Sequence, residues 1–81
     1  MDVTILYFAS LQDAAGTRQE SLTIDDASTV ADCTALLSER TPGLAARLPQ
    51  CRVAVNGEFA ATSQRLADGD EVALLPPMSG G

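Results

Sequence analysis

One stretch of this chain has the apolar spacing of a helix, and it lies between two groups of segments that alternate like strands. That order limits the available folds more than any other feature. In "DDASTVADCTALLSERTPG", Val30, Cys33 and Leu37 fall at i, i+3 and i+7 with Leu36 beside them, giving one apolar stripe. Thr29 and Asp32 have the spacing of a capping box, and Thr41-Pro42-Gly43 ends the helix. "LAARL" has room for one further turn before Pro49. Upstream, "DVTILYFASL" alternates, with Val3, Ile5 and Tyr7 on one face and Thr4, Leu6 and Phe8 on the other. "QDAAGT" breaks the pattern at a turn or C-cap on Gly16, and "RQESLTI" resumes it, predicting an antiparallel hairpin. Downstream, "CRVAVNGEFA" reads as two short strands around a tight Asn56-Gly57 turn. A last strand, "EVALL", follows the Asp68-Gly69 turn. The order ββ-α-ββ-β predicts an α+β domain: a mixed five-stranded sheet with one main helix across one face. The two most apolar strands, the first and the last, pair in the middle.

The chemistry open to such a chain is narrow. At 81 residues it is one domain, and 46% hydrophobic residues supply a core that must be aliphatic, since aromatics are 4%. Eleven acids against five arginines give a net charge of −6, a poor match for nucleic acid or anionic lipid and a better one for a basic protein partner. Without histidine there is no Ser-His pair, imidazole base or His-metal site. Nor is there a CxxC or a glycine-rich phosphate loop, so an enzyme acting alone is not expected. Asp68 and Asp70 read as turn residues. No apolar run spans a membrane and no secretory signal precedes the first strand, which predicts a cytoplasmic protein with Cys33 and Cys51 as reduced, packed thiols.

Two features remain unabsorbed by a core. If Val3, Ile5, Tyr7, Val53, Val55, Val72 and Leu74 face the helix, then Leu6, Phe8, Ala54 and Leu75 lie on the opposite face, with Arg52 among them. An uncovered apolar sheet face is a protein-docking surface, and Arg52 is placed to meet a partner carboxylate. The second feature is the ending "LLPPMSGG": a stiff Pro76-Pro77 hinge, then Met78, Ser79, Gly80 and Gly81. Glycine has no Cβ to clash with the walls of a narrow channel.

The pieces "VTILYFASLQDAAGT", "VNGE" and "LADGDEVALLPPMSGG" together resemble the small subunit of molybdopterin synthase, a ubiquitin-like β-grasp family of sulfur carriers, over essentially the whole chain. Met78 stands where that family usually has valine or a small β-branched residue. The resemblance implies a β-grasp domain over 1–76 and a flexible tail over 77–81. It implies that an activating enzyme uses ATP to adenylate the C-terminal carboxylate and that sulfur then leaves Gly81 as a thiocarboxylate, with Gly80 helping the tail thread. The carrier itself binds no cofactor. The implied partners are the activating enzyme and a large synthase subunit, in a complex of two small and two large chains. That subunit would be contacted through Leu6, Phe8, Arg52, Ala54, Leu75, Pro76, Pro77, Met78 and Ser79. The sulfur would go to a cyclic pyranopterin precursor of the molybdenum cofactor. The same fold and Gly-Gly end also serve carriers for thiazole synthesis, which tend to lack the double proline, and ubiquitin-like modifiers attached to lysines.

Overall fold

The computed structural model describes residues 1–77. Its elements are β1 (Asp2–Tyr7), α1 (Ser10–Ala15), β2 (Gln19–Thr23), α2 (Val30–Arg40), α3 (Pro42–Ala45), a 3-10 turn (Leu48–Gln50), β3 (Arg52–Val55), β4 (Glu58–Phe59) and β5 (Glu71–Leu75). The five strands form one mixed sheet in the order β2-β1-β5-β3-β4. The first and last strands pair parallel at its centre, and the other pairs are antiparallel. This is the expected α+β, ubiquitin-like β-grasp arrangement.

The core sits between the sheet and the helices. Val3, Ile5 and Tyr7 of β1, Val72 and Leu74 of β5, and Val53 and Val55 of β3 all face it. Across from them α2 contributes Val30, Cys33 and Leu37, the stripe read from the sequence. The capping box forms: the Asp32 backbone N–H donates to Thr29 Oγ1 (3.2 Å), and the Thr29 N–H donates to Asp32 Oδ2 (2.9 Å). Two of the helix's unsatisfied amide groups are thereby closed.

Two readings change. The β1–β2 connection is not a short turn, because Ser10–Ala15 forms a helix ending at Gly16 in the left-handed conformation (φ 77°). Leu11, fully buried, with Ala14 and Ala15 packed against the core, is what holds that helix in place. The segment after α2 also does more than add one turn. It forms α3 and a 3-10 turn, which bury Leu44 and Leu48 under the same core. The sheet hydrogen bonds continue just beyond β1, where the Phe8 N–H donates to the Leu74 carbonyl (3.3 Å).

The acidic turn before β5 is structural. Asp68 Oδ1 accepts from the Asp2 N–H (2.8 Å), while Asp70 accepts from the Ala67 N–H (2.8 Å) and from Asn56 Nδ2 (2.9 Å). Asn56 Oδ1 accepts in turn from the Glu71 N–H (2.9 Å), so the turn before β5 is tied to the turn after β3.

Candidate docking face and tail root

Strand register decides which side chains meet on the face away from α2. Leu6 is opposite Ala73, Ala73 opposite Ala54, and Ala54 opposite Phe59. Directly opposed residues share a face, so these four form one apolar row across β1, β5, β3 and β4. A second row, Leu75 opposite Arg52, lies one pleat nearer the C-terminus. Phe8 follows Leu6 past the end of β1 and is 42% exposed, while Leu6, Ala73 and Leu75 are half-buried.

Ala54 departs from expectation. It is on the outer face and outside the core cluster, yet only 9% of it is exposed. Its methyl group sits between its cross-strand neighbours Ala73 and Phe59, so a partner would touch those two and barely touch Ala54. Arg52 is exposed, as expected, but it is already engaged: its guanidinium carbon lies 3.8 Å from the centre of the Phe59 ring. That cation–π contact holds a flat, amphipathic pair at the β3–β4 edge of the face. Phe59 was missed from the sequence, and it is the most exposed large hydrophobic residue described, at 62%. The available signal was its place two residues after the Asn56-Gly57 turn, where a tight hairpin puts it opposite Ala54.

The C-terminal segment follows the central strand, β5. Pro76 is half-buried and Pro77 exposed, and both line a cavity of about 220 Å³ with Ser10, Leu11, Arg47, Gln50 and Cys51. Met78, Ser79, Gly80 and Gly81 lie outside the described residues. Cys51 is close to the tail root but is not primed as a nucleophile. Its Sγ–H donates to the Arg47 carbonyl (3.2 Å), and burial pushes its thiol up, with only the Arg47 charge opposing. Cys33 is fully buried in α2, and burial pushes its thiol up to about 11. Both therefore stay protonated near neutrality, and the thiolate is the reactive form. Tyr7 is buried too, and its hydroxyl donates to Glu20 Oε2 (2.7 Å). Its pKa is raised first by desolvation and then by that carboxylate. Among the described residues no three Cys, Asp or Glu side chains gather as a metal site, and no helix is long and apolar enough to cross a membrane.

With a partly exposed apolar face beside the end of the central strand, in a chain whose sequence ends in Gly80-Gly81, the comparison with known proteins is direct. The ThiS family pattern matches residues 5–81. The chain belongs to the ThiS family. It is 34% identical over 83 residues to the molybdopterin synthase sulfur carrier subunit of Chlamydomonas reinhardtii, covering 100% of both chains. The crystal structure of the small archaeal modifier protein SAMP1 from Haloferax volcanii superposes with a TM-score of 0.90 at 35% identity, again over 100% of both chains. A chain from the complex of subunits 1 and 2 of the molybdopterin-converting factor of Helicobacter pylori gives a TM-score of 0.75 at 26% identity over 100% of each. In both fold and family the chain therefore stands among β-grasp carriers and modifiers.

Proposed function

We propose that this protein is the sulfur carrier subunit of a molybdopterin synthase. The carrying observation is the apolar row Leu6–Ala73–Ala54–Phe59 beside the root of a Gly-Gly tail, in a chain similar along its full length to such subunits. Both parts are needed: the face docks the chain and the tail, residues 77–81, reaches a site in another protein.

The chemistry follows from the terminus. A free α-carboxyl has a pKa of roughly 3.3–3.7, so near neutrality it is an anion and a poor electrophile. In the proposed sequence a carboxylate oxygen of Gly81 attacks the α-phosphorus of ATP in the activating enzyme, releasing pyrophosphate. A hydrosulfide equivalent then adds to the acyl carbon and expels AMP, leaving the thiocarboxylate. In the synthase, the thiocarboxylate sulfur attacks a carbon of the pterin precursor and displaces an oxygen leaving group from it. Water then hydrolyses the acyl–sulfur bond of the resulting thioester, leaving sulfur on the precursor and Gly81 as a carboxylate. No side chain of this subunit acts as acid, base or nucleophile, consistent with the protonated Cys33 and Cys51.

The test is mass spectrometry of the intact protein after incubation with activating enzyme, ATP and a sulfide source. The expected product has one oxygen replaced by sulfur at Gly81 and converts precursor when mixed with the large subunit. A second reading, a protein modifier, is favoured by the similarity to the archaeal modifier. Lysine-linked conjugates without any thiocarboxylate would select it.

A further inference from the structure

We propose that the free edge of β2, with the groove between β2 and α2, is a second docking site: it takes an extended, basic segment of another protein as an added strand. Strand β2 is an edge of the sheet. Its even-numbered residues bond to β1, as the register Val3–Leu22 and Ile5–Glu20 and the flanking Tyr7–Arg18 and Met1–Ile24 bonds show. The N–H and C=O groups of Gln19, Ser21 and Thr23 therefore point away from the sheet. The Gln19 carbonyl accepts from the Thr17 hydroxyl (2.9 Å), so the open pairing positions centre on Ser21 and Thr23. An edge of this kind is a template for an incoming strand.

Beside that edge lies a groove of about 600 Å³, where β2 ends and α2 passes over it. Its apolar lining includes Ile24, Ala35 and the half-buried Leu36, which give an alternating side chain something to sit against. Its rim carries Asp25, Asp26, Asp32 and Glu39, and no arginine lines it. The Asp32 carboxylate is occupied by the capping box, and Asp26 lies 3.5 Å from the terminal amine. Asp25 and Glu39 are thus the charges to test.

Charge selects the occupant. A second copy would bring another chain of net charge −6, with the same acidic rim, against this one. The chain's own tail leaves from the wrong place: β5 ends near the Leu6–Gln19 end of the sheet, while the groove adjoins the Asp2–Thr23 end. A segment with alternating β-branched residues flanked by lysine or arginine satisfies the open backbone groups, the apolar lining and the rim together. Because it binds at the end opposite the tail, it can be held while the tail is engaged elsewhere.

The probe is a peptide of about seven residues, alternating valine and threonine with lysines at both ends, titrated into isotope-labelled full-length protein. We expect amide shifts at Ser21, Thr23, Ala35 and Leu36, and slower hydrogen exchange at the Ser21 and Thr23 N–H groups. Asp25→Lys with Glu39→Lys should weaken binding at least about tenfold, because the rim charge is reversed. Ser21→Pro removes an outward donor without touching the β1 ladder and should also weaken it. If Ser21→Pro does not fold, the exchange protection and the charge variant decide alone. Several results would overturn the proposal: no shifts at millimolar peptide, equal binding of the glutamate version, or shifts centred on Arg52 and Phe59. Unchanged affinity in the charge variant, or self-association through β2 in sedimentation, would do the same.

Discussion

Truncating Phe59 separates docking from folding, because most of this side chain is outside the fold. Phe side chains bury roughly 150–250 Å², so about 200 Å² is a working total. With 62% exposed, about 75 Å² is covered within the subunit and about 125 Å² remains for a partner. At about 25 cal/mol per Å², the first part is worth about 2 kcal/mol of stability, an upper bound, and the second about 3 kcal/mol of docking. Phe59→Ala should therefore weaken binding to the large subunit on the order of a hundredfold, read by calorimetric titration of the two purified chains. The melting temperature should fall by no more than about 8–16 °C, since 1 kcal/mol shifts a domain of this size by roughly 4–8 °C. Arg52→Ala should cost much less, as it removes only a cation–π contact worth about 0.5–1 kcal/mol at an exposed site. Wild-type affinity in a folded Phe59→Ala variant would refute the docking face. Complete unfolding would show that the ring supports the core.

Three further outcomes follow from the same geometry. Deleting Gly81 should abolish sulfur transfer while leaving the melting temperature unchanged, since the terminus is shortened by about 3.5 Å and no described contact is lost; wild-type transfer by the deletion would disprove the tail's role. Asp70→Ala should cost about 0.5–1.5 kcal/mol per lost bond in urea unfolding, since the Ala67 N–H and the Asn56 amide are exposed and water takes the place of the carboxylate, without changing affinity for the large subunit. Cys33 has its thiol raised to about 11 from an ordinary 9.0. The unfolded chain therefore loses this proton first, and the Cys33 contribution is full below about pH 9 and lost as pH rises towards 11. Cys33→Ala should flatten that alkaline loss in unfolding titrations and still accept sulfur at Gly81; an unaltered pH profile would show that the thiol is not responsible.

What could be read from the sequence was whatever one local pattern determines. The α2 stripe and its Thr29–Asp32 cap are set within a few residues, and both form as read. Alternation assigned the inner face of β1, β3 and β5 correctly, because one slip in register would have moved every apolar residue to the wrong side. Helix α1 was missed because Gly16 and the polar run before it outweighed a short pattern, Leu11 with Ala14 and Ala15, whose helix is held by packing against distant strands. Phe59 and Ala54 depend on a register across three strands. Nothing local to Ala54 shows that Ala73 and Phe59 flank it on the same face.

The position of β5 bears on how one chain would combine the proposed docking face with the proposed carrier tail. This strand is hydrogen-bonded on both sides, to β1 as far as Leu74 and to β3 as far as Leu75, so its end is held by the middle of the sheet. Were the tail to leave an edge strand, fraying there would shift its starting point. Leu75 faces outward on the docking surface and is followed at once by Pro76 and Pro77, which restrict the direction in which the chain can continue. In the proposed function, docking at Leu75, Leu6 and Phe59 would fix the point from which the C-terminal segment departs. The four residues Met78 to Gly81 can then span up to about 14 Å. On that proposal the reach of the Gly81 carboxyl is set by chain length and its origin by the sheet, so the chemistry would reside in the partner while this chain supplies position.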